Sequence, residues 1–235
     1  MEFYKRSWKL LGFIYEIWML ASILDIVTLA VILMIAIWLH EYSHAYVSYK
    51  LGDPTPKLQW RLTTNPLKHI DPIWFLMIFL IWFWRGKPVQ VNPSYYKNPL
   101  KWELLVALAW PAMNLVLAIV GIFVMLVSAK ITWMWLENIM TWNFWFWTNF
   151  LMQFSMINIC LAVFNMIPLP PLDWFRIVKM ISLKFANMIE RYTQYIVIWF
   201  LVIVLLWRNP IWNFLGNTSY AIFRLIFTFF ANIFY

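Results

Sequence analysis

The chain has 235 residues, 64% of them hydrophobic and 12% charged, against about 25% charged in soluble domains. That composition excludes a conventional water-soluble surface and makes the chain an integral membrane protein, with the lipid bilayer as its first partner. The formal net charge of +8 lies in short loops between apolar runs, a pattern that sets orientation in a membrane and excludes nucleic acid as the expected partner.

Residues 1–9 are basic, and no small-residue cleavage site follows them, so a retained N-terminus is expected. Leu10 to Leu24 is apolar apart from Glu16 and short for a span of about 20 residues. Asp25 marks its expected outer end, and Ile26 to Lys50 is expected as a second, separate helix. Gly52-Asp53-Pro54 supplies a stop. Lys57 to Thr63 alternates with period two and Asn65-Pro66 is a turn signal, so residues 55–70 predict a short β-hairpin at the membrane surface. Pro72 to Trp84 is apolar but only 13 residues long, which favours a re-entrant or interfacial segment over a span. Lys87 to Pro93 reads as a second extended piece.

Leu104 to Ala129 runs 26 residues without charge and spans with tilt, with Pro111 near its start. Asn138 to Leu172 is free of charge for 35 residues; its first part, to about Asn165, spans, and Pro168, Pro170 and Pro171 then break it. Asp173 is placed to cap a helix running through Arg191. Tyr192 to Trp207 and Ile211 to Tyr235 are further span candidates, the second interrupted at Gly216-Asn217 and Arg224. The expected fold is an all-α polytopic membrane protein of five to six transmembrane helices, with the hairpin and the interfacial segment. It forms one domain over 1–235, with a core at about 26–185 and peripheral helices at 1–25 and 192–235. The basic segments 1–9, 50–70, 85–101 and 176–191 share one side if 10–24 crosses, 26–50 returns, 72–84 does not cross, and 104–129 and 138–165 form a hairpin; the positive-inside tendency makes that side cytoplasmic.

The stretch His40-Glu41-Tyr42-Ser43-His44 carries the chemistry, and it holds two of the three histidines in the chain. In a helix, residues four apart share a face. Both imidazoles then reach one zinc ion, with Glu41 beside the open coordination position as a general base. The plain alternative is a chance pair of buried polar residues, but in a membrane segment each such residue is costly and calls for a reason. His40 lies ten residues before the helix end, about 15 Å by helical rise. The metal is therefore expected inside the membrane, nearer the cytoplasm. A catalytic zinc takes three protein ligands and a water. The candidates for the third are Asp53, His69, Asp71 and Asp173, the last of which serves equally well as a helix cap.

Three stretches in this order resemble the site-2 protease family of intramembrane zinc metalloproteases, in its short bacterial form. They are His40 to Ala45, Asn65-Pro66-Leu67-Lys68-His69-Ile70-Asp71-Pro72, and Asn165-Met166-Ile167-Pro168-Leu169-Pro170-Pro171-Leu172-Asp173. Lys87 to Pro93 and Ala107 to Asn114 are also similar, so the likeness covers roughly residues 26–185. The resemblance implies one Zn2+ per chain held by His40, His44 and Asp173, with Glu41 as base. It implies that Asn165 positions substrate or stabilises the oxyanion, and that His69 and Asp71 order the hairpin rather than bind metal. The substrate implied is a transmembrane segment of another protein, and the location a bacterial inner membrane. Such a segment must unwind to expose a carbonyl, and the expected hairpin edge at 55–70 is a candidate clamp for the extended strand.

Where the family pattern has glycine, this chain repeatedly has tryptophan, at Trp60, Trp74, Trp110 and Trp174, with Trp84 and Trp102 as further cases. The chain holds 18 tryptophans and 5 glycines, where average usage gives about 16 glycines. Tryptophan and glycine codons differ by one base, and some bacterial lineages read UGA as glycine; these tryptophans then read as misdecoded glycines. Interfacial aromatic belts and an inactive homologue are the competing accounts. For the whole chain the alternatives to an endopeptidase are an inactive membrane-binding homologue and an ion carrier. Intact His40, Glu41, His44 and Asp173 argue against the first, and spans nearly bare of ionisable groups against the second.

Overall fold

From Glu2 to Lys50 the chain holds no proline, and it forms a single 49-residue helix, α1. The expected break at Asp25 does not occur. One acidic residue removes no backbone hydrogen bond, and neither glycine nor proline lies near it. Segments 10–24 and 26–50 are therefore one rod and do not cross and return. The computed structural model describes residues 2–69, 89–135, 142–170, 172–206 and 208–234.

The helix ends where Gly52 turns into the left-handed region at φ +102. Pro54 and Pro56 then favour a first helical turn rather than a strand, and Thr55–Leu58 forms the short helix α2. A 3-10 turn follows at Pro66–Lys68, capped by the Asn65 side chain, which accepts from the Leu67 N–H at 3.0 Å. The expected β-hairpin at 55–70 is thus corrected: residues 55–69 carry no strand, so they offer no strand edge as a clamp. Asp71 and the interfacial segment Pro72 to Trp84 lie outside the described residues, as does the start of the second extended piece. From Val89 the chain runs without helix to a 3-10 turn at Pro93–Tyr95.

Helix α3 runs Pro99–Trp135 and carries Pro111 inside it. It starts earlier than its charge-free stretch because Asn98 caps it, accepting from the Lys101 N–H at 3.3 Å, with Pro99 at the first position. Helix α4 is Trp142–Asn165 and ends ahead of the prolines. Asp173 does not cap the next helix. α5 begins at Phe175 after Trp174 and stops at Ile181. Ser182 then caps α6, Leu183–Arg191, accepting from the Phe185 N–H at 3.3 Å. α7 is Thr193–Leu206, at 14 residues short for a span. α8 is Arg208–Phe234 and continues through Gly216-Asn217 and Arg224.

Among the described residues, four helical stretches are long and apolar enough to cross a membrane: Ile23–Lys50, Pro99–Ile131, Phe146–Asn165 and Asn213–Phe234. The buried residues recur at three- and four-residue spacing. Leu33, Ile37, Glu41, His44 and Ser48 line one face of α1; Val106, Trp110, Asn114 and Ala118 line one face of α3. α3 packs against both α1 and α4, and α8 closes the far side of α3 and α4. At Gly121 the contact between α3 and α4 leaves no room for a side chain: an added Cβ would stand 2.4 Å from Ser155 Oγ and 3.0 Å from Phe154 Cδ1.

Candidate metal centre

The helical spacing of α1 puts His40 and His44 one turn apart, with ring centroids 4.9 Å from each other. Asp173 arrives from the loop after α4. Its Oδ2 lies 3.3 Å from His44 Nε2 and 3.8 Å from His40 Nε2. One ligand atom from each of the three residues lies within 4.8 Å of the others. Ligand atoms at about 2.0–2.1 Å from a tetrahedral zinc stand about 3.4 Å apart, so the separations suit one ion. Two imidazoles and a carboxylate also suit it chemically. His44 Nδ1 donates to the Val106 carbonyl of α3 at 2.8 Å. A carbonyl only accepts, so Nδ1 carries a proton, which leaves Nε2 as the ring atom that would offer a metal its lone pair.

Glu41 is 5% exposed, and its two oxygens have different surroundings. Oε2 accepts the Val89 N–H at 2.9 Å and faces Arg61 Nη2 at 3.9 Å. Oε1 lies 3.5 Å from His40 Nε2, on the side of the metal donors. Arg61 is itself buried and also donates to the Lys68 carbonyl. An open groove of about 700 Å³ reaches Asp173, lined by Val89, Gln90, Val91, Pro170, Leu172 and Phe175 among others. Arg176 stands beside it, with Nε 3.9 Å from Asp173 Oδ1 and Nη1 3.6 Å from Glu103 Oε1.

The other described sequence candidates hold hydrogen bonds of their own. Asn165, at the end of α4, donates from Nδ2 to the Leu161 carbonyl of its own helix at 3.2 Å. His69 is fully buried and donates from Nε2 to the Thr63 carbonyl at 3.2 Å. Asp53 is fully buried in a separate hydrogen-bonded cluster. Arg61, the Val89 N–H and the Val106 carbonyl had no sequence signal as site groups; two of them are backbone.

Trp110 stacks edge-on against His40, with ring centroids 4.2 Å apart. It is 2% exposed, and its indole N–H is without a partner. Trp60 is 81% exposed and sits in the left-handed region at φ +57. Trp174 has ordinary right-handed dihedrals, φ −64 and ψ −15. Trp102 packs near Tyr96 at 6.2 Å, while Trp74 and Trp84 lie outside the described residues.

The pattern of peptidase family M50 matches residues 28–207. The "Putative zinc metalloprotease YwhC" of Bacillus subtilis (strain 168) is 37% identical over 151 residues, covering 64% of this chain and 67% of that protein. The "Putative zinc metalloprotease Rip2" of Mycolicibacterium smegmatis (strain ATCC 700084 / mc(2)155) is 29% identical over 153 residues, covering 61% of this chain and 55% of that protein. No solved structure matches. With most of its length inside the family pattern, the chain belongs to peptidase family M50, the site-2 protease family of zinc metalloproteases.

Proposed function

We propose that the chain is a zinc-dependent endopeptidase that cuts transmembrane segments of other membrane proteins within a bacterial inner membrane. The observation that carries this reading is the convergence of His40, His44 and Asp173 beside Glu41, on a helix apolar enough to cross a membrane. His40, His44 and Asp173 hold the metal in this proposal. Zinc bound there supplies a Lewis acid that acidifies water and polarises a peptide carbonyl. Glu41 takes the proton of the attacking water on Oε1 and returns it to the leaving amine. Water oxygen thereby joins the carbonyl carbon, the C–N bond breaks, and no proton is left over. Asn165 is proposed to orient the substrate beside Asp173. The end of α1 at Lys50 is basic, and residues 51–69 carry more positive than negative charge, which supports a site nearer the cytoplasmic face.

The test separates chemistry from metal binding. Reconstituted in liposomes with a membrane-spanning peptide, the Glu41→Gln chain is expected to keep one zinc while losing cleavage by at least about 100-fold. Cleavage that survives Glu41→Gln overturns the proposal. Loss of zinc in His44→Ala, with zinc retained in Glu41→Gln, assigns the two residues their different roles.

A further inference from the structure

Asp53 has no contact with the metal donors, yet it is fully buried, and a buried carboxylate is retained only where hydrogen bonds compensate its lost hydration. Its bonds are specific. The left-handed turn at Gly52 carries Asp53 back along the end of α1, where its Oδ2 accepts the Ser48 hydroxyl at 2.8 Å. The same oxygen accepts the Asn92 N–H at 2.8 Å, and Oδ1 accepts the Thr55 N–H at 2.9 Å. Ser48 Oγ in turn lies 2.7 Å from the Tyr96 hydroxyl. Residues 89–96 therefore lie as a strap along the last turns of α1, tied at three points: Val89 to Glu41, Asn92 to Asp53, and Tyr96 to Ser48. Two of the three ties run through the Ser48–Asp53 pair. The third is the N–H that holds the base.

We infer that Asp53 is a positioning residue for the reaction, acting through the 89–96 strap to set the Val89 N–H against Glu41 Oε2 and so leave Oε1 free toward the metal donors. The catalytic half of this inference rests on the reading of Glu41 as the base. The strap also walls the groove that reaches Asp173, so its placement fixes the groove and the base together. A loose strap would release Glu41 from its N–H donor without touching His40, His44 or Asp173.

The test is residue-resolved amide hydrogen exchange on the zinc-loaded chain in detergent micelles. Asp53→Ala is expected to speed exchange at Val89 and Asn92 by at least about 10-fold, while α1 residues 32–44 keep their protection and one zinc stays bound. Unchanged exchange at Val89 overturns the inference. Should Asp53→Ala expose α1 as well, Tyr96→Phe removes a single hydroxyl, and it must speed Val89 in the same direction. Coupling is reciprocal: Glu41→Gln, which weakens the acceptor, is expected to speed exchange at Val89 and, through the strap, at Asn92 as well. Against a membrane-spanning peptide, Asp53→Ala is expected to lower kcat about 10-fold. If Glu41→Gln still cleaves, the base reading fails while the exchange coupling stands. If Glu41→Gln is inactive but Asp53→Ala leaves Val89 protected, this inference fails alone.

Discussion

At the scale of single residues, buried donors and acceptors sort the site from its surroundings. Glu41 spends one oxygen on Val89 and Arg61 and keeps the other beside His40, an asymmetry suited to a base. His69 has its Nε2 satisfied by Thr63 and its Nδ1 buried without a partner. Burial holds its pKa below the ordinary 6.5, with the Arg61 charge lowering it further against the Thr63 bond. The unfolded chain then binds more protons than the folded one below pH 6.5, so stability is full above that value and falls as the pH drops beneath it. Thermal melts should give a lower Tm at pH 5.5 than at pH 7.5, and His69→Gln should narrow that gap; an unchanged gap removes His69 as the cause. Trp60 makes a different prediction. A non-glycine residue at φ +57 costs roughly 1–2 kcal/mol, so Trp60→Gly should stabilise the chain by about 1 kcal/mol once the entropy of glycine is subtracted. Misdecoding further predicts glycine at residues 60 and 110 in peptides read by mass spectrometry from the source cells; tryptophan there, encoded by UGG, ends that account. Trp174 gives it no conformational support, since its dihedrals suit any residue.

Among the elements, the α1–α3 pairing is the frame of the site. His44 meets Val106 and His40 meets Trp110, so one turn on α1 faces one turn on α3 in antiparallel order. At Gly121 the α3–α4 contact is close enough to bar a side chain, and Gly121→Leu should lower stability by roughly 1–3 kcal/mol through overpacking. Zinc affinity should fall with it, because α4 leads into the loop that delivers Asp173. A stable Gly121→Leu chain would show that the two helices separate freely. The placing of His40 and His44 one turn apart with Glu41 beside them was legible in the sequence because helical spacing alone fixes it. Asp173 was one of four candidates from the residues alone and the one the resemblance favoured; the fold brings its carboxylate to 3.3 Å from His44 Nε2 and 3.8 Å from His40 Nε2. Elsewhere the one-dimensional signals misled. Alternation over Lys57 to Thr63 gave way to Pro54 and Pro56, and Asp25 was a polar residue without the power to break α1. The ties to Val89 and Val106 had no signal at all, because every residue offers the same backbone groups.

For the whole molecule, the consequences lie in the bilayer and the metal. The 49 residues of α1 measure about 74 Å by helical rise, more than twice the roughly 30 Å hydrocarbon core. Residues 2–9 and Lys50 are therefore far apart along one rod. Cysteine labelling in sealed vesicles is expected to reach position 59 from the cytoplasmic face alone; labelling from the outer face reverses the orientation. A ligand that binds only the folded chain stabilises it by about 2.7 kcal/mol at a hundredfold excess over Kd. Stripping zinc with a chelator should thus lower Tm in the wild type and leave it unchanged in His44→Ala. Equal shifts in both would place the metal at other residues.

His44 and Asp173 are 129 residues apart in sequence, and that separation has a temporal meaning. At roughly 5–20 residues per second, a ribosome needs on the order of ten seconds to travel from the histidine pair to the carboxylate. Throughout that interval the nascent chain holds the two imidazoles and Glu41, with the Asp173 carboxylate not yet made. The site is then completed only after α3 and α4 have been synthesised. An unfinished chain accordingly lacks the full donor set, and proteolytic competence is deferred until most of the fold is in place.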